Sequence, residues 1–402
     1  MAKALAGIRV IDFTVWFQGP VSAQYLADFG AEVIKVENPK GGDQGRGVRS
    51  MKSLAIGDWN QYFLVINRNK KSIAIDLKKA EGQEILYRMV EKSDVFLSNM
   101  SPALLAKMNL SYEQLSAINP RLIYATNTGY GRSGEVSKPS FDMTVQALTG
   151  AMARLGEPGQ PPIYMGMGSG DAYGGIMSAM GIVTAIYQRN KTGKGQCLDA
   201  SLYGAQLYLA APYLQSFLAG NSQSALQQSR KEVENGLWNL YPTTGKWVYI
   251  CEQNCDERFA ALCTALGDQS LVGDERFSTA AKRVANNVAL IAAIDALSST
   301  RTDTDLLADL ALHGIVHSPI NNYADVVRDE QAWQNNYFMK AYCEEVKRDV
   351  EIRGLPVTLS KTPGEVNTLG PQLGQDTELL MMDLLEYEWD EIEEFKAKGA
   401  IP

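Results

Sequence analysis

The first half of the chain alternates between two apolar periods. Ile8 to Phe13 is a β-branched apolar run that ends in polar and glycine positions, and Gly19-Pro20 then opens a segment in which Val21, Tyr25 and Leu26 recur at helical spacing. Gly30 follows where a left-handed residue would stop that helix, and Glu32 to Val36 resumes as a short apolar strand. The cluster Asn38-Pro39-Lys40-Gly41-Gly42-Asp43 reads as a turn or loop. The order then recurs. Ser72 to Leu77 alternates as a strand, Ala80 to Glu91 has helical spacing, and Asp94 to Leu97 is a short apolar run closing at Ser98-Asn99. Leu122 to Ala125 predicts another strand, before Thr126-Asn127-Thr128-Gly129-Tyr130-Gly131. Gly174 to Tyr187 reads as a Gly/Ala/Met-rich helix leading to a strand near Cys197 to Leu202. Strands joined by helical crossovers require a parallel sheet covered on both faces.

The pattern changes after a Ser/Gln-rich linker at Ser222 to Lys231. Trp238 to Tyr241 and Trp247 to Ile250 flank Pro242-Thr243-Thr244-Gly245-Lys246, a hairpin signature. Asp256 is placed to cap a helix running to Leu266, with Gly267 as its stop; Asp305 to Leu312, ending at Gly314, predicts another before a strand at Ile315-Val316. The expected fold class is α/β: a Rossmann-like parallel sheet in a large domain, residues 1–225 completed by 330–402, with a smaller α+β domain at 226–329. The acidic stretch Leu379 to Lys398 predicts a helix packing back onto the first domain through Trp389 and Phe395.

Composition narrows the partners. The chain has 402 residues and is 45% hydrophobic, enough to fill a real core, which excludes a disordered or fibrous protein. Lys and Arg total 38 against 46 Asp and Glu, and the net charge of −8 would repel a phosphate backbone, so no nucleic-acid partner is expected. The start, Met1 to Gly7, carries no leader pattern, and no later stretch holds about 18 uninterrupted apolar residues, so a soluble, cytoplasmic protein without a membrane partner is expected. Cys197, Cys251, Cys255, Cys263 and Cys343 are odd in number and thinly spread, which fits reduced thiols. With only His313 and His317 and no paired C-x-x-C, no metal site is expected, Cys251, Cys255 and Cys263 included.

Ligands of open parallel sheets bind beyond the carboxyl ends of the strands. Gly19-Pro20 opens a helix whose free amides could face a phosphate, but without a G-x-G-x-x-G or Walker pattern it also reads as a plain turn and cap. Asn67-Arg68-Asn69-Lys70-Lys71 is a local excess of base, either a phosphate attractor or a solvated run. Lys107 and Lys138 add positive charge near the ends of the third and fourth strands. The most informative stretch is Met165 to Gly175, where Asp171 sits in a glycine-rich approach to a long apolar helix. Glycine permits close substrate approach, the helix field should keep Asp171 ionised, and neighbouring amides can donate to a developing oxyanion. That suits a carboxylate nucleophile; the alternative is an ordinary N-cap aspartate.

The segments Leu5 to Asp12, Phe29 to Glu37, Asn69 to Leu77, Thr128-Gly129-Tyr130-Gly131, Gly168 to Gly175, Thr192 to Gln196 and Leu373 to Thr377, in this order and spacing, strongly resemble the family III CoA-transferases, the carnitine/formyl-CoA transferase and acyl-CoA racemase superfamily. Gly273 to Phe277 and Asp329 to Trp333 look nearest to its phenyllactate and 2-hydroxyisocaproate branch. The resemblance implies that Asp171 is the catalytic carboxylate of a transfer from an acyl-CoA to a carboxylic acid, the acid being a 2-hydroxy, aryl or branched one. Coenzyme A would be a co-substrate, with no tightly bound cofactor. It implies CoA contacts at Phe17, Gln18, Ile75 and Asn99. Lys107 stands where formyl-CoA transferases carry an arginine, keeping the charge but losing the bidentate fork, Asn38 replaces an arginine of some members, and Lys138 matches approximately. Between Gln227 and Trp238 the family's glycine-rich loop has no counterpart, which speaks against oxalate or formate. An interlocked homodimer is also implied. Two other readings stay open. A racemase needs a second acid/base, for which those relatives place a histidine in the segment that here reads Ser140-Phe141-Asp142-Met143; a non-catalytic CoA-binding protein is the other.

Overall fold

The structure, a computed structural model, describes residues 3–52, 56–134 and 138–402. Met1 and Ala2, which open the segment read above for a leader, lie outside these. Six strands, β1 (Arg9–Phe13), β2 (Glu32–Glu37), β3 (Lys70–Ala74), β4 (Val95–Ser98), β5 (Ile123–Thr126) and β6 (Cys197–Asp199), form one sheet in the order β3-β2-β1-β4-β5-β6. Every neighbouring pair is parallel. The crossovers are helical: α1 (Gln18–Asp28) joins β1 to β2, α2 (Gln61–Ile66) precedes β3, and α3 (Ala80–Glu91) joins β3 to β4. Helices α4 (Pro102–Lys107) and α5 (Tyr112–Ile118) lead to β5; α6 (Asp142–Leu148), α7 (Ala151–Arg154) and the long α8 (Ser169–Thr192) lead to β6, which α9 (Leu202–Leu209) follows.

Successive strand residues point to opposite faces, and both faces are buried, so apolar side chains occupy both faces of the strands. Ile11, Ile34, Ile73 and Phe96 pack with Ile85 and Met89 of α3 on one side. Val10, Val33, Val95 and Ile123 pack with Leu26 of α1 and Ile182 of α8 on the other. The strand order reverses between β1 and β4, and the crevice beyond the ends of those two strands is where such a sheet receives a ligand.

The chain divides into two compact units, the first comprising Met1–Met152, Tyr164–Ser224 and Trp333–Pro402. The second, Ala153–Ile163 with Ala225–Ala332, therefore takes in a short stretch that composition groups with residues 1–225. It has an antiparallel sheet of β7 (Trp238–Tyr241), β8 (Val248–Cys251) and β9 (His317–Pro319), packed on a core around Phe259, Leu262, Phe277 and Ile291. The third strand lies beyond the expected Ile315-Val316. Gly267, at φ 81°, does end the helix Asp256–Leu266, although Cys255 and not Asp256 occupies the cap position.

The C-terminal segment belongs to the first unit, where it adds the unforeseen hairpin β10 (Phe338–Cys343) and β11 (Arg348–Arg353). The acidic tail is helical, in two pieces. Thr377–Asp383 and Trp389–Ala397 are separated by Glu386 at φ 58°, a value no helix accommodates. Leu380, Met381, Ile392 and Phe395 enter the core, whereas Trp389 is 47% exposed, with the Lys396 ammonium 4.9 Å from its ring centroid.

The basic run also departs from expectation: Arg68 and Lys70 are buried, and the half-exposed Lys71 is paired with Glu32. Arg68 Nη2 lies 2.7 Å from Asp28 Oδ2, its Nε reaches both Asp28 oxygens, and Nη1 donates to the Arg353 carbonyl. Lys70 Nζ donates to Asp12 Oδ2, Asn67 Oδ1 and the Pro20 carbonyl, tying β3 to β1 and α1. Breaking such a pair leaves a buried charge unpaired. Arg68→Met is therefore expected to destabilise the protein by about 3–5 kcal/mol, read as a lower urea midpoint, and an unchanged midpoint would contradict this account.

Candidate active site

A cavity opens at the reversal point of the sheet. Val15 to Gln18 line it from the β1–α1 loop, Asn99 from the end of β4, and Asn127 from the end of β5. Phe141, Asp142 and Asp171 close it from α6 and α8. Four residues singled out from the sequence, Phe17, Gln18, Asn99 and Asp171, thus meet in one place. The other four do not line this cavity. Asn38 is exposed and its Oδ1 accepts from the Lys40 N–H in a local turn. Ile75 is 1% exposed, in the core just past β3, and its N–H donates to the Glu37 carbonyl. Lys107 ends α4 on the surface, and Lys138 is exposed with its ammonium 5.8 Å from the Tyr130 ring centroid.

The Asn99 side-chain amide is held at both its oxygen and its nitrogen. Its Oδ1 accepts from the Val15 N–H at 3.0 Å and its Nδ2 donates to the Val15 carbonyl at 2.7 Å, which staples the end of β4 to the loop after β1. Gln18 Nε2 donates to the Ala200 carbonyl. Asn127 bridges α1 and α8, donating to Ser22 Oγ and accepting from Ser178 Oγ.

Asp171 lies in the first turn of α8, which begins five residues before the expected Gly174 because Gly168, at φ 82°, can serve as its cap. A glycine cap offers no side-chain acceptor, and the free amides of the first turn are met from another element. Asp142, at the start of α6, had no mark in the sequence reading as a site residue, yet it fills this role. Its Oδ2 accepts from the Gly168 N–H at 2.7 Å and from Gln146 Nε2 at 3.0 Å. Its Oδ1 accepts from the Gly170 N–H at 3.1 Å and from Gln206 Nε2 at 3.0 Å. Gly170 must be glycine, since an added Cβ would sit 2.3 Å from Asp142 Oδ1 and 2.1 Å from Gln206 Nε2. The one local signal was the Asp142/Gln146 pair at i, i+4 spacing, which places both on one helix face.

This arrangement sets the charge on Asp171. Burial, and then the negative charge of Asp142, push its pKa up to about 7. The helix field expected to keep it ionised is thus opposed by burial and by the Asp142 charge beside it. Tyr62, on α2, is a second residue the sequence did not mark. Its ring packs on Phe17 at 5.6 Å between centroids, and burial together with the charges of Asp171 and Asp43 holds its hydroxyl far above the usual phenol range. It therefore remains a protonated donor at any working pH.

Among the described residues, those lining the cavity include no Lys, Arg, His or Cys, and two carboxyls. Asp142 has both oxygens committed, so Asp171 is the group left to attack an electrophile. His313 and His317 both belong to the second unit. Among the described residues, no cluster of three or more His, Cys, Asp or Glu is arranged to hold a metal ion, and no helix is long and apolar enough to cross a membrane.

A model of the family described as CoA-transferase family III matches residues 5–377. The chain is 30% identical over 403 residues to a mouse (Mus musculus) protein named succinyl-CoA:glutarate CoA-transferase, covering 99% of this chain and 90% of that protein. It is 31% identical over 404 residues to a Chloroflexus aurantiacus protein named succinyl-CoA–D-citramalate CoA-transferase, covering 99% and 98%. A crystal structure of a CAIB/BAIF family protein from Brucella suis superposes with a TM-score of 0.83 at 31% identity, over 96% of this chain and all of that one.

Proposed function

Because this chain belongs to CoA-transferase family III, we propose that Asp171 is the covalent nucleophile of its reaction. The enzyme is a CoA-transferase, and coenzyme A is its co-substrate. In this reading an Asp171 carboxylate oxygen attacks the thioester carbon of the donor acyl-CoA, and the carbon–sulfur bond breaks to give a mixed anhydride and CoA thiolate. The thiolate then attacks the aspartyl carbonyl, releasing the donor acid and leaving an aspartyl-CoA thioester. The acceptor carboxylate displaces CoA thiolate to form a second anhydride, which the thiolate opens at the acceptor carbonyl. New acyl-CoA leaves and Asp171 is restored. No net proton is needed. The observation that carries this reading is the placement of Asp171 as the uncommitted carboxyl of the cavity, with Asp142 fully engaged by four donors.

Phe17, Gln18 and Asn99 would border the thioester end of CoA, with Ile75 and Asn38 nearer its outer part and Lys107 and Lys138 as point charges for its phosphates. The large unit is thus the CoA-binding one, and residues 226–329 form the small domain. The five free cysteines suit a reducing compartment, the cytoplasm. Ile176, Met180, Val183 and Tyr187 of α8 recur at helical spacing and are all exposed, an apolar stripe that suits a second copy in an interlocked homodimer.

For the acid we propose a 2-hydroxy, aryl or branched acid, on the phenyllactate and 2-hydroxyisocaproate side of the family. Val15, Trp16, Phe17, Phe141 and Leu202 contribute apolar surface to a lining that is otherwise polar, and among the described residues that lining holds no cation to pair with a second carboxylate. A panel of acyl-CoA donors against carboxylate acceptors, read by mass spectrometry, is expected to show the highest kcat/KM for acceptors with an apolar tail. Glutarate or succinate outperforming phenyllactate would overturn this choice of acid while leaving the transfer chemistry intact.

A further inference from the structure

The loop between β1 and α1 holds a conformational oddity. Trp16 has φ 68°, in the left-handed region that a bulky side chain rarely enters. Such a residue persists only where its surroundings over-determine it. Here they do, group by group. Asp12 Oδ1 accepts from the Thr14 N–H and hydroxyl, and Lys35 Nζ donates to the Thr14 carbonyl at 2.8 Å. Asn99 takes both the N–H and the carbonyl of Val15. Asp43 Oδ1 accepts from the Trp16 N–H at 3.1 Å, while its Oδ2 lies 2.9 Å from Lys35 Nζ. Both Lys35 and Asp43 are buried, so the ion pair is fixed rather than solvated.

The loop is therefore held by side chains from β1, β2, the turn after β2 and the end of β4. None of these contacts is needed to form the sheet, whose strands are already paired along their backbones. Their common effect is to present Trp16 and Phe17 to the cavity that contains Asp171. The Phe17 ring in turn lies 3.8 Å from the position a Cβ on Gly168 would take, at the cap of the Asp171 helix.

We propose that residues 14–16 form a preorganised platform, on which Asp43 is a positioning residue and Trp16 is the specificity-determining group that seats the acyl chain against Asp171. This rests on the reading of Asp171 as the nucleophile. The platform fixes the reacting carbon at attack distance, so its loss should fall on kcat and not on CoA affinity. Asp43 acts through the Trp16 peptide and touches no substrate.

The test compares Trp16→Gly with Trp16→Ala in the full-length enzyme, using an acyl-CoA and acid that the wild type converts. Glycine suits φ 68° and alanine does not, so Trp16→Gly is expected to melt at a higher temperature than Trp16→Ala. Both are expected to lose at least about tenfold in kcat, with KM for acyl-CoA within about threefold of wild type. Asp43→Asn, which keeps the acceptor for the Trp16 N–H, is expected to retain more of kcat than Asp43→Ala; if neither folds, the Trp16 pair decides. Hydroxylamine trapping of the acyl or CoA intermediate on Asp171 separates the two levels. A wild type that transfers CoA without any mark on Asp171 would sink the nucleophile reading. A wild type marked at Asp171, with Trp16→Gly and Trp16→Ala both keeping wild-type kcat and substrate preference, would sink the platform alone.

Discussion

Replacing Asp171 by asparagine is expected to lower CoA transfer by about 10⁴-fold or more, because a covalent route without its nucleophile retains only binding and orientation. The amide has nearly the same shape, so the loss should appear in kcat. CoA affinity is expected to stay within about threefold, since the contacts assigned to CoA belong to other residues. The fold is expected to survive for a specific reason. Asp142, not Asp171, accepts the first-turn amides of α8, so removing the Asp171 charge takes no cap away from the helix. Wild type incubated with acyl-CoA and hydroxylamine should yield a hydroxamate on Asp171, seen by peptide mass spectrometry, and the variant none. Transfer within tenfold of wild type in the variant would overturn the mechanism.

The same experiment in D₂O with a chiral 2-methylacyl-CoA and no acceptor acid separates transfer from racemisation. Proton exchange at the α-carbon calls for an acid/base on each side of it. Phe141 supplies none, and the oxygens of Asp142 are saturated with donors.

Much of this was readable from the chain, for physical reasons that also mark where reading stops. The parallel sheet announced itself because strands buried on both faces must be apolar at every position, as Val33-Ile34-Lys35-Val36 nearly is. The exception, Lys35, is the informative one: its charge is spent on Asp43 and the Thr14 carbonyl, a pairing across sequence that no local pattern reveals. Arg68 and Lys70 misled for the same reason, since a basic run looks identical whether its partners are water or the buried Asp28 and Asp12. Helix α3 matched the pattern at both ends because its cues are local. Helix α8 did not, because its start is fixed by Asp142, a cap supplied from 26 residues upstream of Gly168. Hairpin β10–β11 was missed because its strands are half exposed and carry charge on the open face, which blurs the period.

That long-range cap makes the enzyme's pH response a consequence of its fold. With the Asp171 pKa near 7 in place of the usual 3.8, kcat/KM is expected to fall about tenfold per pH unit below neutrality and to level off above it, as the attacking carboxylate is titrated away. Stability should move the other way. The native state keeps a proton on Asp171 that the unfolded chain releases, so this group favours folding at low pH, and that contribution is lost as pH rises from 3.8 to about 7, by at most about 4 kcal/mol. Asp171→Asn removes the titration, and its Tm relative to wild type is therefore expected to rise from pH 5 to pH 8. Asp142→Asn removes the second cause of the shift, so its rate profile should move to lower pH even where overall activity drops. Flat wild-type kcat/KM between pH 5 and pH 8, with a pH-independent Tm difference for Asp171→Asn, would show that Asp171 is ionised throughout and that the Asp142 charge does not govern it.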